Sequence, residues 1–132
     1  MAGKILVVDD EPNILLSLEF LLQQAGYEVT TARDGDAALE ALARDLPDLV
    51  LLDVMLPHRN GYEICQSIRD NPAWRGVKVV MLTARGREID REKGMALGAD
   101  DYITKPFATR EVVERVQSLL AESPGTGSSR PA

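Results

Sequence analysis

Asp48-Leu49-Val50-Leu51-Leu52-Asp53-Val54-Met55-Leu56-Pro57 decides the fold. A short unbroken apolar run rich in Leu and Val, closed by a breaker, reads as a strand buried on both faces. Strands of that kind belong to parallel sheets with helices on each side. The run ends in a carboxylate, so Asp53 stands where the chain leaves the sheet. A lone carboxylate there is costly unless paired, hydrogen-bonded or hydrated. The rest of the chain should therefore supply its partners.

Working outward, Ile5-Leu6-Val7-Val8 is a second such run, and it ends in Asp9 and Asp10. Pro12 suits the first turn of a helix. Ile14, Leu15, Leu18, Leu21 and Leu22 then recur at helical spacing, and Gly26 closes that helix. Tyr27 to Ala32, with Val29, Thr30 and Thr31, predicts a less buried strand. Asp34 is placed to cap a helix striped by Ala38, Leu39, Leu42 and Leu46 and stopped by Pro47. Pro57-His58-Arg59-Asn60-Gly61 has turn chemistry, and His58, the one histidine, reads as solvated. Tyr62, Ile64, Cys65 and Ile68 stripe a third helix, broken at Asn71-Pro72. Val77 to Leu82 predicts another buried strand, with Thr83 at its C-terminal end. A helix is expected from about Arg87 to Leu97, closed by Gly98. Tyr102-Ile103-Thr104 is a short strand running into Lys105-Pro106. Val112, Val113, Val116, Leu119 and Leu120 mark the last helix. From Glu122 on, Ser, Pro, Gly and Thr dominate. The expected organisation is one domain over residues 1–121 and a flexible tail or linker over 122–132.

Strand and helix thus alternate five times, which predicts an α/β doubly wound, five-stranded parallel sheet with helices on both faces. A chain of 132 residues suits a single core. The net charge of −6 argues against direct nucleic-acid binding. Cys65 is the only cysteine, so no internal disulfide can form and a reducing compartment is expected. The apolar run after Lys4 is too short for a signal-peptide core or a membrane span. These readings give a cytoplasmic protein with no membrane partner.

In doubly wound sheets, function gathers at the C-terminal ends of the strands. Asp9 and Asp10 follow the first strand here, Asp53 the third, Thr83 the fourth and Lys105 the fifth. Clustered carboxylates repel one another, and a hard divalent cation removes the conflict. Mg²⁺ prefers oxygen ligands, keeps several waters, and is often shared with phosphate. Lys105 is a point charge suited to a phosphoryl oxygen, and Thr83 can donate a hydrogen bond to the same group. Asp53 is a carboxylate nucleophile that can form an acyl phosphate.

Ile5–Pro12 (ILVVDDEP), Asp48–Pro57 (DLVLLDVMLP), Val79–Gly86 (VVMLTARG) and Gly98–Phe107 (GADDYITKPF) carry a resemblance. From Lys4 to about Ala121 the chain resembles the CheY-like receiver domain of two-component response regulators. The resemblance implies a flavodoxin-like strand order 2-1-3-4-5. It makes Asp53 the phosphoacceptor. It implies Mg²⁺ on Asp10 directly, on Asp9 partly through water, and on Asp53 and the main-chain carbonyl of Met55. Thr83 and Tyr102 become a switch pair, and Lys105 a phosphate contact followed by a cis bond to Pro106. Met55 and Arg85 flank the site and, if they cover the phosphoryl group, slow its hydrolysis.

The implied partners are a histidine kinase or histidine phosphotransfer protein, and a downstream effector whose identity these residues do not encode. Catalysis would extend only to the domain's own phosphorylation and dephosphorylation. Likeness to the DNA-binding branch of response regulators implies a phosphorylation-dependent, two-fold homodimer. In it Lys93 or Arg91 would meet Glu111, and Asp100 or Asp101 would meet Arg115. Three rival readings fit these residues less well. An aspartyl-phosphate hydrolase usually places a second acid two residues past the nucleophile, where this chain has Met55. A flavodoxin needs a Ser/Thr/Gly-rich loop for FMN phosphate, where this chain has Asp9 and Asp10. A non-phosphorylated receiver-fold scaffold usually lacks the acids, which are all present here.

Overall fold

The computed structural model describes residues 3–57, 59–84, 92–93 and 95–121. Five strands, β1 (Lys4–Val8), β2 (Glu28–Ala32), β3 (Leu49–Asp53), β4 (Lys78–Ala84) and β5 (Asp101–Lys105), form one sheet. Every pairing is parallel, in the order β2-β1-β3-β4-β5. Among the described residues, the helices are α1 (Pro12–Gln24), α2 (Gly35–Arg44), α3 (Gly61–Asp70), a 3-10 turn (Pro72–Trp74) and a last helix (Thr109–Ala121). Glu92, Lys93, Met95 and Ala96 are also helical, where the sequence predicts a helix.

Every residue of the central β3 is buried, as its uninterrupted apolar run requires. Alternate side chains divide the core in two. Leu6, Val8, Val50, Leu52, Val79 and Met81 pack with Ala38, Leu42, Ile64 and Ile68 of α2 and α3. Ile5, Val7, Leu49, Leu51, Val80 and Leu82 pack with Leu15, Leu18 and Leu22 of α1 and with Val112 and Val116. Cys65 is buried in the first of these layers, and burial pushes its thiol up.

Local chemistry fixes the ends. The Asp34 side chain accepts the Ala37 N–H, and Asn60 with Glu63 forms a reciprocal capping box at the start of α3. Gly26 and Gly98 both have positive φ, as expected of helix-closing glycines. Two expected boundaries differ. α2 ends at Arg44 and leaves Leu46 exposed, because Pro47 disfavours helical backbone at the residue before it. β4 runs on to Ala84, so Thr83 lies inside the strand rather than just past it.

A guanidinium that sequence reading passed over ties the far end of the sheet together. Arg69, near the end of α3, donates from Nε to the Gly98 carbonyl (2.8 Å) and from Nη1 to the Val77 carbonyl (2.8 Å). Its Nη2 donates to Asp100 Oδ2 (2.7 Å), which also accepts the Val79 N–H at 2.8 Å. A Cβ at Gly98 would meet the Arg69 side chain at 2.9 Å, so the glycine serves both the turn and the contact. Arg69→Ala should lower the unfolding free energy by about 2–3 kcal/mol, because it strands a carboxylate and two carbonyls that are partly buried. Urea denaturation measures this, and a loss below ~0.5 kcal/mol would show that water replaces the guanidinium freely.

Candidate functional site

The strand register builds the site. Val8 lies opposite Leu52, so Asp9 and Asp53 leave the sheet side by side. Asp53 is opposite Leu82 on its other flank, and Thr83 is the next residue along β4. Lys105 is opposite Ala84, two residues beyond the level of Asp53, and its long side chain reaches back over the end of β4.

Asp9 is fully buried, Asp53 is 5% exposed and Thr83 2%. Asp10 faces solvent. Carboxylate oxygens of Asp9, Asp10 and Asp53 lie within 4.8 Å of one another. Lys105 Nζ sits 2.8 Å from Asp9 Oδ2, 3.4 Å from Asp53 Oδ2 and 3.5 Å from Glu11 Oε1. Main-chain donors hold the other oxygens: the Glu11 N–H donates to Asp9 Oδ1 (2.9 Å) and the Met55 N–H to Asp53 Oδ1 (3.2 Å). Gly61 is required here, since a Cβ would collide with the Asp53 carbonyl oxygen.

One ammonium thus serves three carboxylates, with Asp10 close by. Burial first, then the charge of Asp9, pushes the Asp53 carboxyl up to about 6 against the opposing pull of Lys105. Burial pulls Lys105 down, but its bonds to Asp9 and Asp53 outweigh this and hold it above its ordinary value. The donor set fits a hard divalent cation such as Mg²⁺: it is all oxygen, and its three carboxylates lie within 4.8 Å of one another. Met55, two residues past Asp53, is 66% exposed, and its N–H is engaged by Asp53.

Tyr102 is half-buried in β5 opposite Met81 and packs on the α3 side of the sheet. Thr83 follows Met81 by two residues and so shares that face. Beside Tyr102 opens a groove of about 560 Å³, lined also by Thr104, Pro106, Glu111 and Arg115. The Lys105-Pro106 bond is cis, as the resemblance implied.

Among the described residues, the charges expected on a dimer face have partners within the chain. Arg115 bonds Asp101 at 2.7 Å and Glu111 at 3.5 Å, Asp100 bonds Arg69, and Lys93 Nζ lies 4.6 Å above the Tyr62 ring. His58, Arg85, Arg91, most of the predicted helix from Arg87 and the tail 122–132 lie outside the described residues. Glu11 was missed as a site residue. Its only sequence signal is that it extends Asp9-Asp10 to a third acid.

A family model described as the response regulator receiver domain matches residues 5–117. The chain belongs to that family. Receiver domains are signalling domains of two-component systems rather than conventional enzymes. Among solved structures, a putative response regulator from Chloroflexus aurantiacus J-10-fl is 39% identical, with a TM-score of 0.87 over 92% of this chain and 99% of that one. A BeF3-activated DrrB receiver domain is 40% identical, with a TM-score of 0.82 over 92% and 99%. NtrX from Brucella abortus is 31% identical with a TM-score of 0.89, matching 98% of this receiver but only 30% of its own longer chain. Among the described residues of this receiver, no helix is long and apolar enough to cross a membrane.

Proposed function

We propose that Asp53 accepts a phosphoryl group from a phosphohistidine of a histidine kinase or histidine phosphotransfer protein. The observation that carries this is the grouping of Asp9, Asp10, Asp53 and Lys105 at one end of the sheet, inside a receiver domain. A carboxylate oxygen of Asp53 bonds to phosphorus as the phosphorus–imidazole bond breaks. The bonding pair leaves with the imidazole nitrogen, and Asp53 becomes an acyl phosphate. The Lys105 ammonium turns from Asp53 to a phosphoryl oxygen, and the Thr83 hydroxyl donates to another. Asp9, Asp10, Asp53 and the Met55 carbonyl would hold Mg²⁺, which when bound neutralises charge on the transferring oxygens. The same groups serve hydrolysis, in which water attacks phosphorus and returns Asp53 to its carboxylate. The setting is the cytoplasm, where such kinases present their phosphohistidines.

The signal follows from charge. Phosphorylation adds nearly one further negative charge and new acceptor oxygens at Asp53. Thr83 turns toward them and vacates space that the Tyr102 ring enters, which reshapes the groove beside it for the downstream effector. A two-fold homodimer across this face would exchange intrachain pairs of Arg115 and Asp101 for interchain ones, and exposed pairs of that kind contribute little net attraction. Dimerisation would therefore depend on apolar surface that the Tyr102 movement changes.

The test is intact-mass measurement after incubation with acetyl phosphate. One phosphoryl group should be gained with Mg²⁺ and none in chelator. Asp10→Asn should raise the Mg²⁺ requirement more than Asp9→Asn, because both oxygens of Asp9 are already engaged by Lys105 and Glu11 while Asp10 faces solvent. Equal phosphorylation with and without Mg²⁺ would defeat the reading.

A further inference from the structure

Three carboxylates meet the Lys105 ammonium, and they differ in their access to water. The side chains of Asp9 and Asp53 are 0% and 7% exposed, whereas that of Glu11 is 61% exposed. Glu11 is also fixed in place by its backbone. Its N–H donates to Asp9 Oδ1, and its carbonyl accepts the Ile14 and Leu15 N–H groups at the start of α1, both at 3.1 Å. Its side chain makes no helix cap. The carboxylate therefore stands on the solvent side of Lys105, with no capping duty to hold it elsewhere.

We propose that Glu11 is a positioning residue that sets which phosphodonors this site accepts. The inference rests on the phosphoacceptor reading of Asp53. A donor arriving from water must bring its phosphoryl oxygens to Lys105 from the side that Glu11 occupies. It must displace the Glu11 carboxylate from the ammonium and approach against its charge. The cost grows with the negative charge of the donor, so a dianionic small molecule is held back more than a monoanionic one. Glu11 thereby biases the receiver away from small metabolic acyl phosphates. A donor delivered by a protein partner brings its own binding energy and is less affected.

The experiment compares the second-order rate constant for phosphorylation of the wild type, Glu11→Gln and Glu11→Asp at saturating Mg²⁺. Acetyl phosphate serves as the dianionic donor and phosphoramidate as the monoanionic one, each at low and high salt. Glu11→Gln should react about three- to tenfold faster with acetyl phosphate at low salt, less so with phosphoramidate, and the gain should shrink as salt screens the charge. Glu11→Asp, which keeps the charge, should stay near the wild type. A merely structural Glu11 would change both donors alike and would not respond to salt. An unchanged or slower Glu11→Gln, or a Glu11→Asp as fast as Glu11→Gln, overturns the inference while leaving Asp53 as the acceptor. A wild type that takes up phosphoryl from neither donor overturns the phosphoacceptor reading, and the inference with it.

Discussion

Replacing Asp53 with Asn should make the metal-free protein more stable at neutral pH, by about 3 kcal/mol. The carboxyl titrates near 3.8 when unfolded and at about 6 when folded. A shift of about two units corresponds to roughly 3 kcal/mol. The sign follows from which state holds the proton more tightly. Well below pH 3.8 Asp53 is protonated in both states and imposes no penalty. As the pH rises toward about 6 the unfolded chain ionises first, so the folded state loses ground, and above that the penalty is constant. Asn keeps the acceptor for the Met55 N–H and removes the charge. Urea unfolding in chelator should therefore give near-equal stabilities at about pH 3 and a gap of about 3 kcal/mol at about pH 7.5. Mg²⁺ should narrow the gap, because it stabilises only the protein that binds it well. Equal stability at both pH values would show that the site carries no charge strain.

Lys105→Met should have the opposite sign and a comparable size. It removes the ammonium that touches Asp9, Asp53 and Glu11, and leaves the fully buried Asp9 carboxylate without its ion-pair partner. Breaking such a pair from one side costs about 3–5 kcal/mol. The loss should hold across the neutral range. The ammonium contributes fully below its unfolded pKa of 10.5, and that contribution fades only as the pH passes the higher folded value. Mg²⁺ should restore part of the loss by supplying positive charge to the same carboxylates. Chemical denaturation with and without Mg²⁺ measures both effects. A variant as stable as the wild type in chelator would mean that Lys105 is not the counter-charge of the site.

The fold and most of the site were legible because the decisive residues sit at the ends of unbroken apolar runs. Leu49 to Leu52 and Ile5 to Val8 can hardly be other than buried parallel strands, and a parallel sheet brings their terminal acids to one edge. Leu46 misled because an apolar residue at helical spacing says nothing of where a following proline ends the helix. Two contacts had no local signal. Glu11 reaches Lys105 across 94 residues and Arg69 reaches Asp100 across 31, and neither periodicity nor spacing encodes such pairings. Arg69 lies outside the apolar stripe of α3, and its bonds to carbonyls of two other segments have no counterpart in that stripe. Asp100, expected on a dimer face, also bonds that guanidinium within the chain.

Asp53 is the residue proposed to carry the phosphoryl group. Peptide mass mapping after acetyl phosphate treatment with Mg²⁺, with borohydride reduction to mark acyl phosphates, tests it most directly. A single reduced site is expected, at Asp53, and it should disappear in Asp53→Ala together with all phosphoryl uptake. A label on another residue of the wild type, or undiminished uptake by Asp53→Ala, would contradict it.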